Sequence, residues 1–191
     1  GPRHTIVAGL RLGATVDGEA NATQNARANG DDLTGSPDDE DGVVNPLALQ
    51  FTIGTQPVVQ LRATNTLGSS ATLSGWIDYN NNGVFDTTSE RGQVTVPSGT
   101  TNGLFTLVFP VVPAGFTGKT FARFRLSTDA AAANPTGAAT NGEVEDYAVT
   151  IVGPGNGTVN SGGFTRIAHQ LNGGPTLTTG EQFGGAAARV G

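Results

Sequence analysis

The chain has 191 residues, a formal net charge of −6, 29 glycines, 10 prolines and no cysteine. The absence of cysteine excludes disulfides, thiolate metal sites and cysteine nucleophiles. No basic stripe is present to neutralise phosphates, which argues against a nucleic-acid partner. The sequence contains no run of about 18 apolar residues, so it predicts no membrane span. The chain begins at Gly1 without methionine, and we expect a mature or excised segment.

The first part of the chain predicts one strand followed by an acidic loop. Residues 4–12 contain a short apolar segment that we interpret as an edge strand. Residues 13–45 carry eight of the sixteen acidic residues and almost no large apolar group between Val16 and Val43. This loop cannot pack a core of its own, so its order would require another source of stability, such as one or two bound cations. A disordered acidic loop is the alternative.

Seven further segments have the apolar patterns and turn boundaries of strands. They are ALQFTIG (48–54), PVVQLRATN (57–65), ATLSGWIDY (71–79), GQVTVP (92–97), LFTLVFP (104–110), KTFARFRLS (119–127) and EDYAVTIV (145–152). About eight strands with turns between them predict an all-β fold, an antiparallel β-sandwich of jelly-roll or immunoglobulin-like type.

Two of these segments carry more specific expectations. The continuous apolar run of 104–110 predicts a strand that is buried on both faces. In 119–127 the alternation slips once, which indicates a β-bulge. Arg123 and Arg125 share one face there, and they either pair with the acidic loops or lie in solvent.

The segment DYNNNGVFDTTSE (78–90) has the spacing of a calcium-binding loop between two strands. Short oxygen-bearing side chains stand at alternate positions, and Gly83 stands where such a loop turns sharply. Glu90 comes one residue later than the usual bidentate glutamate of an EF-hand loop. A plain Asn- and Gly-rich hairpin turn is the alternative. The candidate Ca²⁺ ligands are Asp78, Asn80, Asn82, the carbonyl of Val84, Asp86 and Glu90.

Residues 142–146 read Gly-Glu-Val-Glu-Asp and resemble the signature of the GEVED domain of secreted bacterial surface proteins. Four further segments resemble that family in the same order: GLRLGATVDGEANA (9–22), GDDLTGSPDDEDGV (30–43), GWIDYNNNGVFD (75–86) and FARFRLSTD (121–129). The resemblance covers residues 4–152. It implies a β-sandwich module on the outside of a bacterium, with a structural or adhesive role and no known catalytic reaction. Family members usually carry a further upstream segment, and this chain starts just after it.

A second calcium site is predicted where the acidic loop meets the signature. Carboxylates are hard oxygen ligands, and clustered acids repel one another unless a cation lies between them. The candidate ligands of this second site are Asp38, Asp39, Asp41, Glu143, Glu145 and Asp146.

The C-terminal residues lie outside the resemblance and suggest self-association. We divide the chain into a β-sandwich (1–152), a Gly-rich linker (153–163) and a tail (164–191) that contains the β-like segment FTRIAHQL (164–171). A lone strand on a flexible tether cannot bury its apolar side by itself. We therefore predict that the tail completes the sheet edge of the next subunit, which gives a head-to-tail homopolymer. A tail that pairs with its own sheet, or begins another domain, is the alternative.

The sequence does not predict an enzyme. His4 and His169 lie near opposite ends, outside any metal motif, and we interpret both as surface residues. The carboxylates alternate with Asn and Gly in loops, which favours cation ligands over the acid/base pair of a glycosidase. The predicted function is an extracellular, calcium-stabilised structural module, the subunit of a filament or stalk on a bacterial cell surface. The alternative is an adhesin or carbohydrate-binding module that contacts surface glycans.

Overall fold

The computed structural model describes residues 1–16 and 40–154, and within these ranges it contains ten strands and no α-helix. Two short 3₁₀ helices, Pro46–Ala48 and Ala130–Ala133, lie in connections. The strands are β1 (Pro2–His4), β2 (Leu10–Leu12), β3 (Gln50–Thr52), β4 (Val58–Asn65), β5 (Ala71–Ile77), β6 (Arg91–Val96), β7 (Thr100–Val108), β8 (Gly118–Ser127), β9 (Gly137–Ala139) and β10 (Glu143–Val152).

The strands form two main sheets that face each other. The larger sheet has the order β3-β10-β8-β5-β6, and the smaller has the order β2-β4-β7. All pairs within them are antiparallel except β3 with β10. The strands β1 and β9 form a separate parallel pair. The predicted antiparallel β-sandwich is therefore confirmed.

The core lies between the two sheets and is built from alternate residues of each strand. Phe124 of β8 contacts two other rings edge-on, those of Phe109 at 6.4 Å and Tyr147 at 5.7 Å between centroids. Gly75 is required beside Phe124, because a Cβ there would lie 2.7 Å from its ring and 2.9 Å from Leu107. Burial of each large apolar side chain contributes about 1.5–3 kcal/mol, so this layer supplies the main stabilisation.

Three expectations about the strands are wrong. Residues 4–12 form no single strand, since β1 and β2 join different sheets. The segment 104–110 is not buried on both faces: Leu104 and Val108 are about half exposed, because β7 is an edge strand whose outer face carries no second layer. In β8 the pairing with β10 and β5 continues without a bulge, and Ala122 joins Phe124 on the core face.

Gly1–Gly153 forms one compact unit. The predicted linker beyond Pro154 and the tail with its β-like segment 164–171 lie outside the described residues. Neither of the helices in the part of the chain that the structure describes is long and apolar enough to cross a membrane.

Candidate functional site

The connection from β5 to β6 is a turn organised by Asp78, which follows directly after β5 and is buried. Its Oδ1 accepts a hydrogen bond from the Asn82 amide at 3.1 Å, and its Oδ2 accepts one from the Gly83 amide at 2.9 Å. Asn81 and Gly83 both have positive φ, 55° and 78°, which Asn and Gly adopt most readily. A single carboxylate therefore holds a tight turn around itself.

The two asparagines continue this pattern outward. The Asn80 Oδ1 accepts from the Asn82 amide at 3.0 Å, and the Asn82 Oδ1 accepts from the Val84 amide at 2.8 Å. The amide of Asn82 is thus shared by oxygens of Asp78 and Asn80, which brings those two oxygens close together. The side chain of Val84 is 64% exposed, and the predicted ligand at this position is its backbone carbonyl.

The end of the turn is closed by Glu90, which is buried directly before β6. Its Oε1 accepts from the Tyr79 amide at 2.8 Å, and its Oε2 accepts from the Asp86 amide at 2.7 Å. Burial raises the pKa of Glu90, and the neighbouring carboxylates of Asp78 and Asp86 raise it further, against the lowering effect of the two amides. Although Glu90 comes one residue later than the glutamate of an EF-hand loop, its carboxylate still reaches this turn.

Asp86 behaves differently from the other predicted ligands. It is exposed, and its Oδ1 accepts from the amides of Thr88 and Ser89 at 2.7 and 2.8 Å. These bonds lower its pKa, with the Ser89 amide as the largest cause. These bonds stabilise the turn in which Asp86 itself lies. Over residues 1–16 and 40–154, no group of three or more His, Cys, Asp or Glu side chains is close enough to bind one metal ion.

The candidate ligands of the predicted second calcium site do not all lie where the sequence predicted them. Glu143 and Glu145 lie on the core face of β10, whereas Asp146 lies on its opposite face. The structure therefore does not bring these three carboxylates together. Asp38 and Asp39 lie outside the described residues.

Asp41 joins the two ends of the acidic segment. Its Oδ1 accepts from the Ala14 amide at 2.9 Å, and its Oδ2 accepts from the amide and the hydroxyl of Thr15. A Cβ at Gly13, which has a φ of +49°, would overlap this carboxylate. Both ends are also bonded to one residue of β4, since Arg62 accepts from the Gly13 amide and donates to the Gly42 carbonyl. The segment therefore leaves and re-enters the sandwich at one place.

The two signature glutamates accept hydrogen bonds from backbone amides in the opposite sheet and in the segment beside it. Glu143 accepts from the Leu12 amide, and Glu145 Oε1 accepts from the Gly42 amide at 2.9 Å. The Tyr147 hydroxyl donates to the same Oε1 at 2.7 Å and accepts from the Val43 amide at 3.1 Å. Since sheet edges expose unpaired amides, these side chains close one open side of the sandwich.

The remaining signature residues have structural partners as well. Asp146 forms an ion pair with Arg123, with 2.7 Å between its Oδ1 and the arginine Nε. Gly142 has a φ of +100°, and a Cβ there would overlap the carbonyl oxygen of Leu126. Glycine is therefore the one residue type that fits without strain at this position.

Residues 72–150 match the GEVED domain family. The match confirms the resemblance drawn from the sequence. It contains three of the five segments, the loop that follows Trp76, the strand of Arg123 and Arg125, and the signature itself. The segments at 9–22 and 30–43 lie before it.

Two solved structures are similar to part of the chain. The apo form of the Calx CBD1 domain is 14% identical over 56% of this chain and 92% of that chain, with a TM-score of 0.29. The calcium binding domain CBD12 of CALX1.1 is 13% identical over 55% of this chain and 41% of that chain, with a TM-score of 0.28. The chain thus spans less than half of that second structure. Among curated proteins, none matches this sequence.

The sequence interpretation missed a buried basic cluster on the outer face of the larger sheet. Arg123 and Arg125 are fully buried, so the solvent alternative is wrong for both. Arg125 donates to the carbonyls of Thr136 and Gly137 at 3.0 and 2.9 Å, and Arg123 donates to that of Pro135 at 3.0 Å. Burial, followed by the charge of Arg123, lowers the pKa of Arg125 to about 10. This cluster holds the β8–β10 connection on the sheet.

His4 belongs to the same cluster and is not a surface residue. Its Nε2 accepts from the Arg125 Nε at 2.9 Å, and its Nδ1 donates to the Asn141 carbonyl at 2.8 Å. Both ring nitrogens are used in this way only when the ring is neutral, because the guanidinium is always a donor. No local signal predicts the contact, since the bonded residues are 121 and 137 positions away.

Proposed function

We propose that this chain is a calcium-stabilised structural module that acts outside a bacterial cell. The observation that carries the proposal is the turn of residues 78–90. In it the oxygens of Asp78 and Asn80 meet at one amide, and the buried carboxylate of Glu90 closes the other end. Oxygen-bearing side chains at this spacing are typical of sites that bind hard cations such as calcium. The β-sandwich is the fold of the described residues, and the bound ion is our inference from this turn.

The donor set fits calcium better than softer metals. The residues that would hold the ion are Asp78, Asn80, Asn82, the Val84 carbonyl and Glu90, which supply oxygen alone. Asp86 would join by turning from its own amides. Calcium accepts six to eight oxygens in flexible geometry, whereas zinc sites usually contain thiolate or imidazole. The charge of the ion would offset the repulsion that raises the pKa of Glu90.

The first prediction is that calcium raises the melting temperature of the purified chain relative to excess chelator. An ion that binds only the folded state adds about 2.7 kcal/mol at 100 times its Kd. Asp78→Asn removes a ligand charge and should abolish most of this calcium-dependent shift. Asn80→Asp adds a charge at an exposed position and should enlarge the shift while lowering stability in chelator. The measurement is a thermal melt of all three proteins with calcium, with magnesium and with chelator.

The two variants provide opposite controls for one site. If calcium leaves all three melting curves unchanged, residues 78–90 form an ordinary turn and the proposal fails. If calcium acts equally on the wild type and on Asp78→Asn, the ion binds elsewhere. The response of a Glu145 variant to calcium then shows whether the ion binds at the signature.

A structural role is favoured over glycan recognition by the placement of the aromatic residues. Within the described ranges no Trp, Tyr or Phe side chain is exposed, and Trp76, Tyr79 and Tyr147 are buried. Sugar-binding sites usually present aromatic and polar groups in an accessible cleft. A non-catalytic role is likewise favoured, because Glu90, Glu143 and Glu145 accept bonds from backbone amides.

Self-association through the tail is part of the proposal. One edge of β10 pairs with β8 along Glu143–Ile151. The other edge of β10 pairs with β3, but only at Thr150–Val152. By strand alternation, Val144, Asp146 and Ala148 direct their backbone groups to that second edge, where no described strand pairs with them. An extended segment of another subunit could add there.

The second prediction is that the full chain forms regular polymers and that deletion of residues 161–191 abolishes them. The physical reason is that head-to-tail contacts do not close into a ring of fixed size. Negative-stain microscopy with sedimentation measures the outcome. Polymers that still form without these residues would show that the tail is not the connecting element, whereas the melting curve of the truncated chain shows whether the sandwich stays folded.

A further inference from the structure

One side chain of the turn 78–90 is buried away from the main core. Between Tyr79 and Glu90 every residue is exposed except Phe85, which is 9% exposed. Phe85 does not belong to the core between the two sheets. A large apolar ring is covered only where it packs against another part of the protein. Its packing therefore fixes the turn at a further point, besides the hydrogen bonds of Asp78 and Glu90.

The ring of Phe85 lies against the arginine cluster on the outer face of the larger sheet. The Cζ atom of Arg123 is 5.4 Å from the centroid of the ring. Arg123 is fully buried, and a cation beside an aromatic ring is held most strongly where water is excluded. The guanidinium is fixed in turn by two hydrogen bonds to Asp146 and one to the carbonyl of Pro135. Phe85 therefore packs on a rigid support.

This support acts at the part of the turn that contains two of the candidate ligands. Phe85 lies between Val84, whose carbonyl is one ligand, and Asp86, whose carboxylate is another. The Val84 amide donates to the side chain of Asn82, and the Asp86 amide donates to that of Glu90. These bonds fix the two amides, and the buried ring fixes the segment between them against the sheet. The Val84 carbonyl is therefore held before an ion arrives, which reduces the entropy lost on binding.

The charge of Arg123 makes its partner Asp146 important beside a cation site. An uncompensated guanidinium next to the turn would repel calcium, and burial would strengthen the repulsion. Asp146 neutralises this charge through two hydrogen bonds, with 2.7 Å between its Oδ1 and the arginine Nε. The last residue of the signature thus acts on the turn through Arg123 and the ring of Phe85.

We propose that Phe85 and the Arg123–Asp146 ion pair position the calcium turn and raise its affinity for the ion. This inference rests on the proposed calcium function. It joins the sequence segments 75–86 and 121–129 with the signature into one unit. Because coupling between two sites is reciprocal, a bound ion also strengthens the hold of Arg123 on the β8–β10 connection. All three side chains are positioning residues.

The third prediction is that Phe85→Leu weakens calcium binding about fivefold or more, the lower end of the couplings between linked sites. Leucine keeps an apolar side chain but has no ring to face the guanidinium. Phe85→Tyr keeps the ring and should bind like the wild type. Phe51→Leu is the matched control, because Phe51 is also buried but lies in β3, at the far edge of the larger sheet. Calorimetric titration of each full-length chain with calcium gives the Kd, and melting curves in chelator show that each variant is folded.

Two further measurements test the ion pair and the reciprocal effect. Asp146→Asn keeps nearly the same shape but removes the counter-charge of Arg123, so calcium binding should weaken in this variant too. Hydrogen exchange of residues 128–142, which Arg123 holds on the sheet, should slow when calcium is added to the wild type. It should not slow in Phe85→Leu at calcium concentrations that saturate both proteins.

The outcomes separate this inference from the function on which it rests. If the wild type binds calcium and the Kd of Phe85→Leu equals that of Phe51→Leu, the inference is overturned and the calcium site stands. It is equally overturned if Phe85→Tyr binds as weakly as Phe85→Leu, since the ring is then not the supporting element. A wild type that binds no calcium removes the proposed function and this inference with it.

Discussion

Replacing Glu145 with leucine is expected to lower the free energy of unfolding by about 2–6 kcal/mol, since two buried donors lose their acceptor at about 1–3 kcal/mol each. Those donors are the Gly42 amide and the Tyr147 hydroxyl, which both donate to Glu145 Oε1. Burial, followed by the charge of Glu145, raises the pKa of Tyr147 well above its ordinary value. The hydroxyl therefore stays a donor at all moderate pH values. Urea unfolding of both proteins at neutral pH measures the loss.

Glu145→Gln is the control that separates hydrogen bonding from charge. Glutamine keeps an oxygen that accepts from both donors but carries no charge. If Glu145 acts as a backbone acceptor, this variant retains most of the stability that leucine loses. The difference between its melting curves with calcium and with chelator should also match that of the wild type.

Two results would contradict this account of Glu145. Equal losses in the leucine and glutamine variants would show that the charge matters and the acceptor does not. Loss of calcium stabilisation in Glu145→Gln, with the response of Asp78→Asn unchanged from the wild type, would instead place an ion at Glu145. The sequence interpretation of a second calcium site would then be supported.

The strands were predictable because their pattern is local. Alternation identifies which residues share a face, and the ladder of β10 with β8 places Tyr147 and Val149 on the core as expected. Alternation does not tell whether the other face is covered. The outer face of β8 is covered by the β8–β10 connection, so Arg123 and Arg125 are buried. The outer face of β7 has no such cover, and Leu104 is exposed.

In the candidate sites, too, the local contacts were predictable from the sequence and the long-range contacts were not. The contacts of Asp78, Asn80 and Asn82 span two to five residues, so their spacing in the sequence was sufficient to predict the turn. The contacts of Glu143 and Glu145 span 131 and 103 residues. Acidic composition alone suggested ion ligands there. Only the packing of the two sheets against each other shows that these carboxylates accept hydrogen bonds from backbone amides.

The second large effect is expected from pH, through His4. Burial and the adjacent Arg125 lower the pKa of His4 to about 4, whereas the unfolded chain should have the ordinary value of 6.5. Between these values the unfolded state binds more protons, so stability falls as the pH is lowered. The contribution of His4 is fully present above pH 6.5 and is lost towards pH 4. Its size is about 3 kcal/mol, at about 1.4 kcal/mol for each pH unit of difference.

Burial is the largest cause of the lowered pKa of His4, and the groups around the ring add to it or oppose it. Arg125 and Arg123 disfavour the protonated ring, whereas Asp129 and the Asn141 carbonyl favour it. A proton on Nε2 would face the guanidinium and remove its acceptor. Since His4 ends β1 and its ring also bonds to Asn141, which precedes β10, acidification should loosen the β1–β9 pair before the main sheets.

His4→Gln isolates this effect from the many carboxylates that titrate in the same range. Glutamine offers an acceptor to Arg125 and does not titrate, while all other groups are unchanged. The difference in unfolding free energy between the wild type and His4→Gln should shrink by about 3 kcal/mol from pH 7.5 to pH 4. An imidazole titration by NMR in a His169→Ala background, which leaves one histidine, gives the pKa directly. A constant stability difference, or a ring that titrates near pH 6.5, would show that His4 is solvated as the sequence suggested.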